Sequence, residues 1–384
     1  MSSQQPPTVP LCDLGIQYQQ IRPQVEEAVL RVLNSGQAIL GPEVVALEKE
    51  TAAYCGAEHG IGCGSGTDAL LLALHALEIG PGDEVILPPF TFFATVGSVL
   101  RTGATPVFAD IDPVTYNIDP VQVAAKITKK TRAIMPVHLY GQCADMEALW
   151  ALAEEHDITI IEDAAQAIGA EYRGTRTGTL GGIAAFSFYP SKNLGTYGDA
   201  GLVTTNHAGW AERMKTLRVH GMEPKYYHKY LGWNARIDAI HAAILRVKLP
   251  YLEKWTAQRQ AAAKRYDALI AATGLERSMQ RPTVIADCRH VFNQYVVRVP
   301  AGDRDGLMNH MRQNGVSCEI YYPVPLHLQE CIGHLGYRAG DFPISEAACQ
   351  SVIALPMFPD ITEAQQQRVV DVCASYRQAT RLAA

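Results

Sequence analysis

The chain has 384 residues, of which 48% are apolar and 19% are charged, as in an ordinary globular protein long enough for two domains or one large α/β unit. Its formal net charge of −6 offers no basic surface for nucleic acids or anionic membranes. No apolar run approaches the roughly 20 residues that cross a bilayer, and the polar, proline-rich start, MSSQQPPTVPLCDLG, is typical of neither a signal peptide nor a transit peptide. We therefore expect a cytoplasmic protein without nucleic-acid or membrane partners.

Short apolar runs alternate with helical patterns from about residue 60 to residue 205. The runs are rich in Ile, Val and Phe and bounded by Pro, Gly or Asp, which predicts buried strands; they are EVILP, TPVFAD, AIMPVHLY, ITIIED and IAAFSFY. Between them, GTDALLLALHAL places Leu70, Leu71, Leu74 and Leu77 on one helical face, and MEALWALAEEH repeats the pattern. The alternation predicts a mostly parallel α/β sheet covered on both faces, whose ligands bind beyond the carboxyl ends of the strands.

The character of the chain changes after about residue 236. A long helical stretch over residues 237–272 contains Pro250 near its middle, which predicts a kink or a break. Short strands, NQYVVRVP and VSCEIYY, then alternate with helices. We therefore expect a large domain with an N-terminal arm over residues 1–250 and a smaller C-terminal α/β domain over residues 251–384.

Cysteine and histidine usage argues against a metal site. The nine cysteines are scattered, their number is odd and no C-x-x-C occurs, so neither a zinc site nor a disulfide framework is indicated. Reduced, mostly buried thiols are expected. The twelve histidines contain no H-E-x-x-H pattern, and we expect no metal.

The stretch GIGCGSGTDAL predicts a glycine-rich turn that opens a helix. Free backbone N–H groups and the helix dipole favour an anion at such a point. The spacing fits neither the dinucleotide fingerprint G-x-G-x-x-G nor the ATP-binding G-x-x-x-x-G-K-[ST]. Ser65, Gly66 and Thr67 are therefore a candidate phosphate site, and a plain helix N-cap is the alternative.

Two acidic residues end the apolar run in ITIIEDAAQAIGA. Glu162 and Asp163 stand where a parallel sheet presents its ligand site. Most acids at such places are helix caps. The functional alternative is a carboxylate held in a dry pocket opposite a cation, with Gln166 one helical turn further on and facing the same side.

A single lysine, Lys192, stands in FYPSKNLGTYGDAG after the run IAAFSF, in which Ser187 comes near the end. A surface lysine is the simple interpretation. Desolvation beside a strand end would instead lower the pKa of the amine and make it nucleophilic. A lysine, a strand-end acid and a phosphate turn together match pyridoxal phosphate (PLP), which needs a Schiff-base lysine, a carboxylate on its pyridine nitrogen and an anion nest for its phosphate.

An aromatic pair, Phe92 and Phe93, follows the strand EVILP in PPFTFFATVGS. In most proteins such a pair packs in the core. In a pyridoxal site one ring commonly lies flat against the cofactor, which suits an aromatic side chain at the carboxyl end of a strand.

The chain resembles the DegT/DnrJ/StrS-type sugar aminotransferases, PLP enzymes of the aspartate aminotransferase fold (fold type I). The resemblance covers residues 9 to about 359 and rests on nine ordered motifs. They are GQAILGPEV, GSGTDAL, GDEVILPPFTFFAT, DIDPVTYNIDP, VHLYGQCADM, IEDAAQAIGA, FSFYPSKNLGTYGDAG, GWNARIDAIHAAI and YYPVPLHLQ.

The resemblance implies a role for each candidate. Lys192 is similar to the Schiff-base lysine, Asp163 to the partner of the pyridine nitrogen and Gln166 to the neighbour of the 3-hydroxyl. Phe92 resembles the stacking ring. The residues similar to the phosphate site are Ser65, Gly66, Thr67 and Ser187, joined by Asn234 from the other subunit of a homodimer. Family members that have histidine at the lysine position are dehydratases, so Lys192 implies a transaminase.

The resemblance also implies the substrates. The amino donor would be L-glutamate and the acceptor a nucleotide-linked ketosugar, because the motifs are most similar to those of enzymes that act on UDP- or dTDP-linked 3-ketosugars. The product would be an amino sugar for surface polysaccharide or antibiotic synthesis. Arg236 is similar to an arginine near a sugar carboxylate, although this chain has Tyr321 where some of those enzymes have histidine. Sugar contacts are expected from Tyr321, Tyr322 and His327, with packing in the small lobe as the alternative.

Two other functions stay open. A cyclitol aminotransferase acting on a keto-inositol would share this fold and these motifs. A non-enzymatic PLP-binding regulator belongs to a different class, but the chain is acidic and has no appended DNA-binding module.

Overall fold

The computed structural model describes residues 8–383. The helices are α1 (Leu14–Ser35), α2 (Pro42–Cys55), α3 (Gly66–Ala76), α4 (Phe93–Thr102), α5 (Pro120–Ala124), α6 (Met146–His156), α7 (Ala208–Leu217), α8 (Ala239–Lys248), α9 (Leu252–Ala272), α10 (Arg304–Gln313), α11 (Pro343–Ser351) and α12 (Glu363–Ala383). The strands are β1 (His59–Cys63), β2 (Glu84–Leu87), β3 (Thr105–Phe108), β4 (Thr131–Ile134), β5 (Thr159–Asp163), β6 (Glu171–Tyr172), β7 (Thr175–Arg176), β8 (Ile183–Ser187), β9 (Gly201–Thr205), β10 (Cys288–Arg289), β11 (Tyr295–Arg298) and β12 (Val352–Leu355).

A seven-stranded sheet forms the centre of the molecule, in the order β1-β9-β8-β5-β4-β2-β3. Neighbours from β8 to β3 pair in parallel, whereas β9 is antiparallel to both β1 and β8. The five strands predicted from apolar runs are all present, and the prediction of a mostly parallel α/β sheet is confirmed. The sequence patterns missed β1 and β9, whose glycines and threonines make them only weakly apolar.

Helices cover both faces of this sheet, as the alternation predicted. One core joins the sheet to α3, α4 and α7. On the other side, α1, α2 and α8 pack on β8 and β9, and α6 packs on β4 and β5. Helix α3 is buried all round, because Leu72 is as inaccessible as Leu70 and Leu74. The apolar surface of α3 is therefore wider than the single face that the leucine spacing predicts.

The C-terminal part has its own core, built from α9, α10, α12 and the antiparallel pair β11–β12. Val9, at the start of the described chain, belongs to this core and pairs with Val316. The predicted break at Pro250 is confirmed, since α8 ends at Lys248 and α9 begins at Leu252. The division of the chain at residue 250 stays a prediction.

The segment VSCEIYY is not the strand that was predicted. It makes only single bridges, Val316 with Val9 and Glu319 with Ala354. Beyond Glu319 the backbone leaves the β11–β12 pair and brings Tyr321 and Tyr322 to the cavity described below. A strand that continued along the sheet would keep these two rings on opposite faces.

Within residues 8–383, no helix combines the length and the apolar character that crossing a membrane requires. In the same range, no group of three or more histidine, cysteine or acidic side chains is arranged to hold a metal ion.

Candidate active site

A cavity of about 780 Å³ lies at the carboxyl ends of β5 and β8 and the N-terminal end of α3. Strand order explains its place, because β5 and β8 are parallel neighbours and end side by side. Ten of the thirteen residues predicted for the site line it: Ser65, Gly66, Thr67, Phe92, Asp163, Gln166, Ser187, Lys192, Tyr321 and Tyr322. The structure thus brings together segments more than 250 residues apart in the chain.

Asp163 is the last residue of β5 and is buried at the cavity wall. Its Oδ2 accepts a hydrogen bond of 2.8 Å from the Thr95 hydroxyl, and its Oδ1 accepts one of 3.3 Å from the Ala165 N–H. Burial raises the pKa of Asp163, and these hydrogen bonds and the charge of Lys192 oppose that effect. No helix follows, because residues 164–170 form turns, so Asp163 is not a helix cap. For the same reason the predicted helical turn between Asp163 and Gln166 is wrong.

The neighbouring Glu162 faces the opposite side of β5, as alternation along a strand requires. It is fully buried and accepts hydrogen bonds from the N–H groups of Gly178 and Gly181. His138 Nδ1 accepts from the Ala144 N–H, so its Nε2 carries the proton and donates to Glu162 at 3.1 Å. Glu162 therefore serves the fold behind the cavity, and only Asp163 faces the ligand space.

Lys192 lies in the connection between β8 and β9, partly buried at the cavity. Burial lowers the pKa of its amine to about 8, while the Asp163 carboxylate acts in the opposite direction. In the part of the chain that the structure describes, no carboxylate forms an ion pair with this amine. Lys192 is therefore not a solvated surface lysine, and the lowered pKa leaves a larger fraction of its amine in the neutral form than an exposed lysine would have.

The N-terminus of α3 lies at one end of the cavity. Ser65 is the N-cap, and its hydroxyl oxygen accepts a hydrogen bond of 3.0 Å from the Asp68 N–H. Gly66 packs so closely on the end of β8 that an added Cβ would lie 2.7 Å from the Cβ of Ser187. Asp68 Oδ1 accepts a 2.8 Å hydrogen bond from Trp233. The helix dipole and the backbone N–H groups of this turn favour a bound anion.

The structure distinguishes the two adjacent phenylalanines. Phe92 immediately precedes α4, is 59% exposed and lines the cavity, with its ring centroid 6.2 Å from that of Tyr322. Phe93 instead lies against Gly97 within α4 and does not line the cavity. Phe92 is thus the ring available to a ligand.

Gln166 connects the segment at Tyr140 to Tyr322 on the cavity wall. Its side-chain oxygen accepts a 2.7 Å hydrogen bond from the Tyr140 N–H, and its amide nitrogen donates to the Tyr322 hydroxyl at 2.9 Å. The Tyr140 hydroxyl donates to the carbonyl of Tyr321. These bonds hold the chain around residue 321 against the end of β5.

Three predicted residues lie away from the cavity of their own chain. Asn234 is exposed and bridges to Val219 through its backbone. Arg236 is partly buried, and its Nε has no hydrogen-bond partner among the residues described. His327 is 2% exposed, contacts Glu346 at 3.1 Å through Nε2 and packs on Phe342. We leave His327 out of the proposed site because its position is that of a packing residue.

The sequence patterns missed several residues of the cavity. Thr95, which is buried behind the cavity wall, supports Asp163 directly; its position three residues after Phe92 is the one sequence signal that points to it. The lining residues that the patterns missed include Thr91, Tyr189, Asp199, Gln294 and Glu319. They come from separate segments without a distinctive motif.

The fold and the cavity define an α/β protein in which a partly buried lysine, a buried carboxylate and the N-terminal end of a helix line one cavity. A family model described as the DegT/DnrJ/EryC1/StrS aminotransferase family matches residues 19–373. The chain belongs to this family, which confirms the resemblance seen in the motifs.

Similar proteins cover almost the whole chain. It is 50% identical over 368 residues to a pleiotropic regulatory protein of Geobacillus stearothermophilus, covering 96% of this chain and 98% of that protein. It is 43% identical over 364 residues to a UDP-N-acetyl-3-dehydro-alpha-D-glucosamine 3-aminotransferase of Acidithiobacillus ferrooxidans, covering 95% and 96%. The crystal structure of S. venezuelae DesV with a ketimine intermediate matches with a TM-score of 0.93 and 42% identity, covering 97% and 99%. The predicted fold class is confirmed.

Proposed function

We propose that this chain is a PLP-dependent aminotransferase that moves an amino group from L-glutamate to a nucleotide-linked 3-ketosugar, with UDP or dTDP as the nucleotide. The observation that carries the proposal is the common cavity of Lys192, Asp163 and the N-terminus of α3. Membership of an aminotransferase family and similarity to a 3-ketosugar aminotransferase support it.

The cavity residues fit PLP at three points. The turn at Ser65, Gly66 and Thr67, with Ser187 opposite Gly66, suits the phosphate because it offers backbone donors and the positive end of a helix dipole. The buried carboxylate of Asp163 suits a protonated ring nitrogen, and the exposed face of Phe92 suits the ring. Gln166 lies on the same wall, next to Asp163, where the family resemblance expects a neighbour for the 3-hydroxyl.

When bound, PLP supplies an aldehyde that condenses with amines and a pyridinium ring that withdraws electrons from the reacting carbon. Lys192 Nζ would hold the cofactor at that aldehyde. After the amino donor displaces it, the neutral amine would accept the proton from the α-carbon of glutamate and deliver it to the C4′ carbon of the cofactor. In the second half-reaction it would move a proton in the reverse direction, from C4′ to the sugar carbon that receives the amine. The lowered pKa of Lys192, about 8, leaves a useful fraction of the amine neutral for this task.

Asp163 would keep its charge opposite the ring nitrogen. Burial disfavours that charge, but the hydroxyl of Thr95 and the N–H of Ala165 donate to the carboxylate. A ring cation in contact would oppose the effect of burial and lower the pKa of Asp163, because an opposite charge at short range favours the ionised form. Thr95 is thus proposed to orient Asp163.

The open side of the cavity is the proposed place of the sugar. Tyr321 and Tyr322 form its wall and are tied to the cavity floor through Tyr140 and Gln166. Tyrosine rings and hydroxyls suit a sugar, which presents both C–H faces and hydroxyl groups.

We propose that the enzyme acts as a homodimer in which Asn234 and Arg236 complete the partner's site. Neither residue lines the cavity of its own chain. An apolar groove of about 650 Å³, lined by Tyr18, Val25, Val29, Leu30, Tyr197 and Ile244 and edged by Glu26, runs along α1 and α8 beside the Lys192 segment. A second copy packed there would make an isologous contact.

The proposal also keeps the cytoplasmic location and the domain division at residue 250 that the sequence suggested.

The test is a substrate panel with the pyridoxamine-loaded protein. UDP-, dTDP- and GDP-linked 3-ketosugars and 4-ketosugars, together with keto-inositol, are offered in single turnovers, and aminated product is measured by mass spectrometry. We expect product with a UDP- or dTDP-linked 3-ketosugar and none from the Lys192→Ala protein. Product from keto-inositol alone would instead indicate a cyclitol aminotransferase. No product from any member, with glutamate also unreactive, would favour a regulator.

A further inference from the structure

A second buried lysine contacts the segment that carries Lys192. Lys248, the last residue of α8, is 1% exposed. Its amine donates a hydrogen bond to the carbonyl of Gly195, three residues after Lys192, and lies 4.7 Å from the ring centroid of Tyr197. Lys248 does not line the cavity, so it touches neither the proposed cofactor nor the substrate.

This lysine is buried without the partner that a buried cation usually has. Among residues 8–378, no carboxylate forms an ion pair with it. Burial lowers the pKa of Lys248 to about 8, and the nearby Cys12 acts in the opposite direction. Burying an ammonium group is costly unless it is well hydrogen-bonded. The carbonyl of Gly195 is the acceptor that compensates for part of this cost.

The segment between β8 and β9 is folded tightly around that carbonyl. A Cβ on Gly195 would lie only 2.5 Å from the carbonyl oxygen of Pro190 and 2.6 Å from that of Tyr189. The backbone N–H of Lys192 donates a hydrogen bond to the carbonyl of Tyr189, and the N–H of Thr196 donates one to the carbonyl of Phe188. The position of Gly195 is therefore coupled to the backbone on both sides of Lys192.

Helix α8 holds this segment at two points. In addition to Lys248, His241 lies against Gly198, where an added Cβ would meet the imidazole at 2.8 Å. A further attachment comes from Asn193, whose amide donates to the carbonyl of Val291 at 2.9 Å. Of these attachments, only Lys248 uses a charged donor, and charge-assisted hydrogen bonds are about twice as strong as neutral ones.

We propose that Lys248 is a positioning residue for transamination: by holding the carbonyl of Gly195 it fixes the 188–200 segment and thereby directs the Lys192 amine into the cavity. The inference rests on the proposed function of Lys192. It predicts that loss of the donor at position 248 loosens this segment and slows proton transfer, while substrate binding, to which Tyr321 and Tyr322 outside the segment are proposed to contribute, changes less than the rate constant.

The test is Lys248→Met in the PLP-loaded protein, because methionine keeps the apolar stem and removes the charged donor. The control is Lys254→Met, which removes the same charge at an exposed position of α9. Hydrogen–deuterium exchange of residues 188–200 is measured along with the melting temperature. The half-reaction with glutamate is followed in single turnovers, giving a rate constant and a saturation constant.

We expect faster exchange confined to residues 188–200 and an unchanged or higher melting temperature, since a buried charge has been removed. We expect the rate constant to fall by about 10- to 100-fold, as for an Å-scale misplacement of a reacting group, with the saturation constant changed by less than about threefold. Lys254→Met should match the wild type. If methionine does not fold, Lys248→Gln keeps an uncharged donor and should show a smaller defect of the same kind.

Unchanged exchange in this segment, or a rate constant within twofold of the wild type, would overturn the proposal. A wild-type protein that does not react with glutamate would contradict the proposed function instead. The exchange measurement would then still report whether Lys248 holds the segment.

Discussion

The surroundings of Lys192, the proposed reactive lysine, differ from those of Lys248, the proposed structural one. Burial lowers the pKa of both amines to about 8, and the two lysines serve the same segment of chain. Lys192 faces a cavity of about 780 Å³ that it shares with Asp163, whereas Lys248 is sealed and donates to a carbonyl. A lowered pKa therefore follows from burial alone, while access and a partner across the cavity make an amine available for covalent chemistry.

The largest effect should come from Lys192→Ala. Removing the amine removes both the cofactor's covalent attachment and the proton carrier, and general acid–base catalysis alone contributes roughly 10² to 10⁴ in rate. We expect transamination to fall below detection. Borohydride treatment of the PLP-loaded wild type should label the peptide that contains Lys192.

Label on the Lys248 peptide would contradict this distinction between the two lysines. Lys254→Ala, at an exposed position on α9, provides the matched control and should retain both labelling and turnover.

The next effect concerns Asp163, the carboxylate that shares the cavity with Lys192; Lys248 faces no such cavity. Asp163→Asn keeps the shape and the hydrogen bond with Thr95 but removes the charge opposite the ring nitrogen. An unprotonated ring is a poor electron acceptor, so the activation barrier should rise by several kcal/mol. We therefore expect the single-turnover rate constant with glutamate to fall by roughly 10²- to 10⁴-fold. Circular dichroism should show an intact fold. Near wild-type turnover would mean that Asp163 serves only the end of β5.

A smaller effect is expected from pH. Only the neutral amine of Lys192 captures the cofactor, so capture by the apoprotein should accelerate as pH rises through the pKa of about 8. Between pH 7 and pH 9 the neutral fraction rises about tenfold and then levels off. Stopped-flow absorbance measures the rate. A rate that continues to climb up to pH 10.5 would show that Lys192 titrates as an ordinary exposed lysine.

The smallest expected effect is a partial recovery of activity in mixed dimers. It tests whether Asn234 and Arg236, which do not line the cavity of their own chain, act in the cavity of a partner. Lys192→Ala and the double variant Asn234→Ala, Arg236→Ala should each be nearly inactive alone. After they are unfolded and refolded together, about half the dimers are mixed and each has one complete site, so activity should recover to roughly a quarter of the wild type. Native mass spectrometry confirms the exchange of chains. No recovery in exchanged dimers would show that sites are not shared.

Much of the fold could be predicted because its signals are local. Apolar runs bounded by Pro, Gly or Asp predicted five strands of the central sheet, whereas β1 and β9 escaped because their burial comes from neighbours and not from their own composition. The strand-end positions of Asp163 and Ser187 followed from chain direction, since parallel strands end at one edge. VSCEIYY has strand composition, yet contacts around Tyr140 and Gln166 direct it into the cavity wall.

By itself, the sequence determined the family, the α/β sheet and the identity of Lys192, Asp163, Gly66 and Phe92 as candidates, because motif spacing and apolar periodicity depend on residues close together in the chain. The family resemblance had already favoured Asp163 over Glu162 and Phe92 over Phe93, and the tertiary structure gave the physical reason, because only Asp163 and Phe92 line the cavity. It also showed His327 packed against Glu346 and Phe342 and Lys248 beneath Gly195. These outcomes depend on contacts between distant segments, where burial and hydrogen-bond geometry select one side chain over its neighbour, and no local pattern records them.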